Sequence, residues 1–346
     1  MFTFYGLRFF LMFLISFSVS YFLTPLVRFV AIKLKVLDYP NQRKKHQIPT
    51  PLLGGIAVYV AYAVSILWNL EFSLELKGIA VGSTIILLIG VIDDWKNLPA
   101  GIKLAGHIAA ASIVIFWGGS TISFIPHWPC EKILEIIISY FWLAGVTTAF
   151  NCMDGVDGLA TGLGIISGVC FFAIAYLTHQ SYLGFLSIAL IGACAGFLRH
   201  NWKPASIFLG DGGSNFIGFV LAGLALLGSW SDTNPMVSLG IPLLILAVPI
   251  FDMVYITASR IKNGNVRNLH QWIEYVGRDH FHHRLINLGF GERGAVIFIY
   301  FLSLSLGISA IAISRTGFRE VILLLTQAII ILLIITSVMV VGRKEE

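Results

Sequence analysis

Apolar runs long enough to cross about 30 Å of hydrocarbon recur along the whole chain, and no other property narrows its fold as much. They centre on Phe2 to Val27, Leu52 to Leu70, Leu76 to Ile92, Ile102 to Gly119, Ile133 to Phe150, Leu159 to Thr178, Tyr182 to Leu198, Phe216 to Trp230, Met236 to Ala258, Ala295 to Ile313 and Val321 to Val341. In lipid every backbone N–H and C=O has to be bonded within the protein, so such runs read as helices. The expected fold is an all-α polytopic membrane bundle of about eleven transmembrane helices, the shortest runs being candidates for tilted pairs or re-entrant segments. Composition agrees: 57% of the 346 residues are hydrophobic and 12% charged, far from the soluble average. The first run is too long for a signal-peptide core and lacks a small-residue cleavage pattern, so it is read as a retained helix.

Charge placement orients the bundle. Assigning alternate loops to one side puts 18 of the 23 Lys and Arg residues on a single face. By the positive-inside rule that face is cytoplasmic, with the N-terminus outside and the C-terminus inside the plasma membrane. Cys130, Cys152, Cys170 and Cys194 show no Cys-x-x-Cys or Cys-plus-His spacing, so neither a disulfide nor a zinc site is expected. No basic block is interleaved with aromatics, which excludes nucleic acid as a partner and leaves membrane lipids. Residues 1–346 read as one domain without a linker, with functional inner loops near 31–51, 93–103, 151–158, 199–214 and 260–293.

The polar residues that carry chemistry all fall on the basic face. In ASIFLGDGGSNFIGF, Asp211 stands between Gly210, Gly212 and Gly213, where glycine would leave the backbone open to a phosphate or a metal ion. The first inner loop, DYPNQRKKHQIPTPLLGG, holds Arg43, Lys44 and His46. A basic cluster of this kind attracts anionic headgroups, yet the proline and glycine punctuation favours an ordered phosphate-binding turn. Asp93 and Asp94 end the third run, with Lys103 beyond them; a solvated helix cap competes with an anion-handling pair. In AFNCMDGVDGLA, Asn151, Asp154 and Asp157 recur every three residues and would share one face if that turn is helical, offering oxygens to a hard cation or to sugar hydroxyls. Asn201 and Lys203 mark the next inner loop, and Asp252 lies inside the ninth run, where an interhelical hydrogen bond behind the site is expected. The last loop carries His280, His282, His283 and Arg284. Zinc competes there, but with no cysteine close by and oxygen ligands elsewhere, binding of pyrophosphate or a nucleobase is preferred.

Taken in order, these stretches resemble the polyprenyl-phosphate N-acetylhexosamine-1-phosphate transferase superfamily over nearly the whole chain. The matching elements are the DxPNxRKxHxxPTPxxGG-like loop, the aspartate pair with its lysine, NxxDGxDGLA, the NxxPAxIFxGDxGSxxxGF block and HFHHRL. The last form looks like the bacterial UDP-GlcNAc:undecaprenyl-phosphate branch rather than the peptidoglycan branch. The resemblance implies that Asp211 is a catalytic magnesium ligand assisted by Asn151, with manganese as the alternative ion. Asp93 and Asp94 would be the catalytic carboxylate pair. Arg43, Lys44, His46, Lys103, Asp154, Asp157, Asn201, His280, His282, His283 and Arg284 would bind UDP-GlcNAc and undecaprenyl phosphate, with Asp252 behind them. Two departures stand out: Asn97 where many relatives have a third aspartate, and Gly277 where they often have Asp.

The implied reaction moves GlcNAc-1-phosphate from UDP-GlcNAc to undecaprenyl phosphate, releases UMP and starts a cell-envelope polysaccharide. Transfer of phospho-MurNAc-pentapeptide is the neighbouring alternative, and a sugar-phosphate transporter the alternative from another class. Transporter sites lie near the midplane at repeat interfaces, whereas these residues gather at one surface. Monomer and homodimer are both open.

Overall fold

The computed structural model describes residues 2–40, 48–69, 73–122, 130–231, 235–266, 271, 277, 279–315 and 318–341. Each apolar run lies on a helix or a helix pair: α1 (Phe2–Lys33), α2 (Gly54–Asn69), α3 (Leu74–Lys96), α4 (Ala100–Ser112), α5 (Glu131–Cys152), α6 (Leu159–Leu177), α7 (Ser181–Asn201), α8 (Gly210–Leu227), α9 (Pro235–Ile245) and α10 (Ala247–Lys262). After the short α11 (Phe281–Asn287) follow α12 (Gly291–Ile313) and α13 (Phe318–Val341). Among the described residues, nine helical spans are long and apolar enough to cross a membrane, and ten if the bent pair α9–α10 counts as one span. The protein is a predominantly helical, multi-pass membrane protein.

Two local departures from the sequence reading have clear causes. The run from Met236 to Ala258 is bent by 84° between α9 and α10. Pro249, in the first turn of α10, has no N–H for the Ile245 carbonyl and its ring crowds that carbonyl, so the ladder is interrupted there. The first inner loop also returns as a two-stranded antiparallel ladder, Leu37 opposite Pro51 and Asp38 opposite Thr50. Its stems satisfy one another's backbone, which a purely helical reading does not provide for.

The chain divides into two compact units, Met1–Ser229 and Trp230–Glu346. At the centre of the first lies α8, buried along almost its whole length against α2, α3, α5 and α6. It gets that close because glycines meet backbone there. A methyl group at Gly90 of α3 would collide with the Gly212 backbone, and one at Gly55 of α2 with Gly213. One at Gly218 would sit 2.8 Å from Phe150 Cβ on α5. Gly212 and Gly213 therefore serve helix-to-helix approach rather than opening the backbone to a ligand, which corrects the sequence reading. In the second unit α12 packs on α9, α10 and α11, and α13 joins it.

Gly90→Ala is expected to lower the unfolding temperature in detergent, since overpacking at a backbone contact costs about 1–3 kcal/mol. Gly6→Ala, with nothing within 4 Å of the added methyl, should leave it unchanged. Thermal unfolding of both purified variants checks this.

Candidate active site

The site in the first unit is built where α3 stops and α8 starts. Asn97 takes the left-handed conformation (φ 50°) and its N–H bonds to the Asp93 carbonyl at 2.8 Å, which terminates α3. Asparagine tolerates that conformation better than most side chains, a local reason for the departure noted at this position. The chain then turns through Pro99 into α4 and places Lys103 over the end of α3. Asp93 is buried; its Oδ1 accepts the Leu98 N–H at 2.7 Å while its Oδ2 contacts the Lys103 ammonium. The same ammonium reaches Asp211 Oδ2 at 3.4 Å. Lys103 and Asp211 keep 38% and 34% of their side chains exposed, so this pair is the open part of the layer.

The first N–H groups of a helix have no intrahelical acceptor, and the positive end of the helix favours anions there. Here one of the chain's own carboxylates fills that position. Asp94 Oδ1 accepts from Asp211 N–H at 2.8 Å and Asp94 Oδ2 from Gly212 N–H at 3.2 Å. The Gly210 N–H exerts an electrostatic pull on the Asp154 carboxyl. Gly210 has φ +75°, and a methyl group on it would lie 2.5 Å from an Asp94 carboxylate oxygen, so no other residue fits this turn. The expectation that these N–H groups face a phosphate is thereby corrected for Asp211 and Gly212: Asp94 already holds both, and acts on the site by fixing α8.

The Asn151, Asp154, Asp157 series does not share a helical face, because α5 ends at Cys152 and a turn follows to Gly158, which has φ +79°. The turn distributes its polar groups instead. Asn151 Oδ1 accepts the Ser214 hydroxyl at 2.7 Å. Burial, and then the negative charges of Asp211, Asp94 and Asp157, push the Asp154 carboxyl well above the usual carboxylate range, against the pull of the Gly210 N–H. Asp157 Oδ2 accepts the Ala205 N–H at 3.0 Å. Asn201, expected to touch substrate, is buried and holds loops together: its Oδ1 accepts from Gly158 N–H at 3.1 Å and the Thr161 hydroxyl at 2.9 Å, and its Nδ2 donates to Ile207 O at 3.1 Å.

The stem of the first inner loop joins the same region. Phe208 N–H donates to Pro51 O at 2.8 Å, and Gly54 and Gly55 N–H donate back to Phe208 O and Leu209 O at 3.0 and 2.8 Å. Arg43, Lys44 and His46 lie outside the described residues.

The histidine loop belongs to the second unit. Asp252 of α10 is fully buried; its Oδ1 accepts the Phe281 N–H at 2.7 Å and its Oδ2 lies 2.8 Å from His280 Nδ1. The His280 and His282 rings stack at 5.8 Å, and His283 lies 4.3 Å from His282. Arg284 is buried, with Nε on Asp279 O at 2.8 Å, its guanidinium 5.9 Å from the Tyr255 ring and a further bond to Met339 O. An Arg284 so enclosed braces the loop. His282 is buried as well, and His280 keeps a small exposed part. The sequence reading missed Asp279 and Arg260, joined by two bonds of 2.8 and 2.7 Å. Burial pushes the Asp279 carboxyl up, but the bonds and charge of Arg260 outweigh it and hold the carboxyl below its usual range. An acidic residue flanking the HFHHR run, in a chain with only 18 Asp and Glu, was the signal available.

A model of the glycosyl transferase family 4 matches residues 76–229, from α3 to the end of the first unit. A Bacillus subtilis (strain 168) protein named "Probable undecaprenyl-phosphate N-acetylglucosaminyl 1-phosphate transferase" is 33% identical over 307 residues, covering 87% of this chain and 84% of its own length. This chain belongs to glycosyl transferase family 4. The "Decaprenyl-phosphate N-acetylglucosaminephosphotransferase" of Mycolicibacterium smegmatis is 30% identical, covering 95% of this chain and 87% of its own. The "Undecaprenyl-phosphate alpha-N-acetylglucosaminyl 1-phosphate transferase" of Escherichia coli O157:H7 is 29% identical, covering 79% and 75%. As a family 4 member the protein is a membrane transferase, and the stretch matched by the family model contains Asp93, Asp94, Lys103, Asn151, Asp154 and Asp211.

Asn201→Ala would leave a buried N–H, a hydroxyl and a carbonyl without their partner, at a cost of about 1–3 kcal/mol. A lowered unfolding temperature in detergent is the expected result.

Proposed function

We propose that the protein transfers GlcNAc-1-phosphate from UDP-GlcNAc to undecaprenyl phosphate, giving undecaprenyl-diphospho-GlcNAc and UMP, on the cytoplasmic face of the plasma membrane as the first step of a cell-envelope polysaccharide. The observation that carries this reading is the layer at the start of α8. Its half-exposed Lys103 is shared by Asp93 and Asp211, within the stretch the family model matches. The names of the relatives supply the substrate class.

Both substrates are anions, and two unit charges 4 Å apart repel by about 4 kcal/mol at an effective dielectric near 20. Lys103 can meet a phosphate with a charge-assisted hydrogen bond by exchanging a carboxylate for it. One ammonium is shared by Asp93 and Asp211, and the site offers further carboxyl oxygens, so the donor set fits a hard cation with oxygen ligands. Magnesium is ordinarily held by one or two carboxylates together with substrate phosphates. Asp211, with Asn151 beside it, would hold magnesium or manganese, and the ion would supply charge neutralisation between the two phosphates.

A phosphate monoester with a second pKa near 6 is largely ionised at neutral pH, so no strong base is needed to make the nucleophile. Direct attack by the lipid phosphate follows. Asp94 holds the α8 N–H groups and keeps Asp211 in place. Asp93 is left to orient the acceptor or take a residual proton.

Purified protein given UDP-GlcNAc, undecaprenyl phosphate and magnesium should release UMP, and chelation should stop it reversibly. Asp211→Asn and Lys103→Met should each lower turnover by about 100-fold or more, as removal of a charge-stabilising group does, with Asp211→Asn leaving the unfolding temperature unchanged. Turnover of UDP-MurNAc-pentapeptide but not UDP-GlcNAc would overturn the donor assignment. A phosphosugar bound covalently to the protein before acceptor is added would overturn direct attack.

A further inference from the structure

One helical turn further along α4 than Lys103 stands His107, an ionisable side chain inside an apolar span that the mechanism above does not use. Polar residues within a span are costly, and one retained there calls for a role. Its level in the bundle can be fixed from the contacts on either side. Lys103 of α4 meets Asp211 of α8. Further in, both helices pack against α3 at Gly82. A methyl group there would lie 2.8 Å from the Phe219 ring of α8 and 3.1 Å from the Ala110 carbonyl of α4. Both helices start at the same layer and rise about 1.5 Å per residue. His107, four residues after Lys103, and Asn215, four after Asp211, therefore occupy one level about 6 Å beneath the carboxylate layer.

Both side chains have capacity left. Asn215 is buried and donates one amide N–H to Asp211 O at 2.7 Å. His107 is half-buried, between Leu104 and Ile108 on the lipid-exposed face of α4 and Gly106, whose added methyl would collide with Ile89 of α3. It thus sits at the edge between α4's packed stripe and its outward surface. A group entering from the bilayer beside α4 reaches His107 and then Lys103, whereas a nucleotide sugar arriving from water meets the open Lys103–Asp211 pair first.

We infer that His107, with Asn215 at its level, is a binding residue for the phosphate headgroup of the polyprenyl acceptor and takes no part in holding the sugar nucleotide. The inference rests on the proposed lipid-phosphate acceptor. An imidazole N–H and an amide N–H can each donate to a phosphate oxygen on the side away from Lys103. They discriminate acceptor from donor by depth.

The test uses the full-length protein in detergent and reads binding apart from turnover. Undecaprenyl phosphate binding is titrated for the wild type, His107→Phe and His107→Gln, and KM is measured separately for acceptor and donor. His107→Phe should weaken acceptor binding and raise the acceptor KM about tenfold or more, the effect of losing one hydrogen bond to a charged group. The donor KM should stay within about twofold, and His107→Gln, which keeps a donor N–H, should recover most of the loss. Unchanged acceptor binding in His107→Phe, a parallel rise in both KM values, or a loss of thermal stability that His107→Gln does not repair would each overturn the inference. Wild-type protein that binds undecaprenyl phosphate but releases no UMP would instead count against the proposed reaction and leave the binding comparison to decide this point.

Discussion

A helix that begins inside a packed bundle has to find acceptors for its first N–H groups, and the way α8 does so organises the first unit. Asp94 comes from the end of α3 and takes the N–H groups of Asp211 and Gly212, while Asp154, in the turn after α5, feels the pull of the Gly210 N–H. An ordinary cap is a local serine or aspartate bonding two or three residues ahead. Asp94 arrives from 117 residues away in sequence, so the same bonds that satisfy α8 also fasten α3 to it.

That arrangement has an electrostatic consequence. Using a carboxylate as the cap gathers Asp93, Asp94, Asp154 and Asp211 in one small region, with Lys103 bridging only two of them. Burial first, and then the like charges of Asp211, Asp94 and Asp157, push the Asp154 carboxyl above its usual range. A layer built this way is receptive to further positive charge, which is what bringing two phosphates together demands. Scaffold and chemistry here draw on the same residues.

The glycines set the distances at which this happens. Gly55, Gly90, Gly212 and Gly213 let three helices touch through their backbones, so carboxylates on short side chains can reach across from one helix to the next. In the second unit the same problem of a buried polar group is solved by pairing. Asp252 is bonded to His280 and to the Phe281 N–H, and Arg260 to Asp279, which fixes the histidine loop from beneath.

The positions of the helices were legible in the sequence, because a bilayer-spanning segment must be apolar over its whole length and closes its hydrogen bonds within itself. The charged residues gathered near the start of α8, Asp93, Asp94, Lys103, Asp154 and Asp211, stood out in the sequence as well, since charge is conspicuous in a chain only 12% charged. Their division of labour did not. That Asp94 caps a distant helix, that Asn201 and Arg284 are enclosed by their own partners, and that the glycines beside Asp211 face neighbouring backbones all depend on which segments meet. Periodicity and composition describe how a segment relates to its surroundings, whereas a hydrogen bond across a hundred residues is decided only when packed helices bring its two ends within 3 Å.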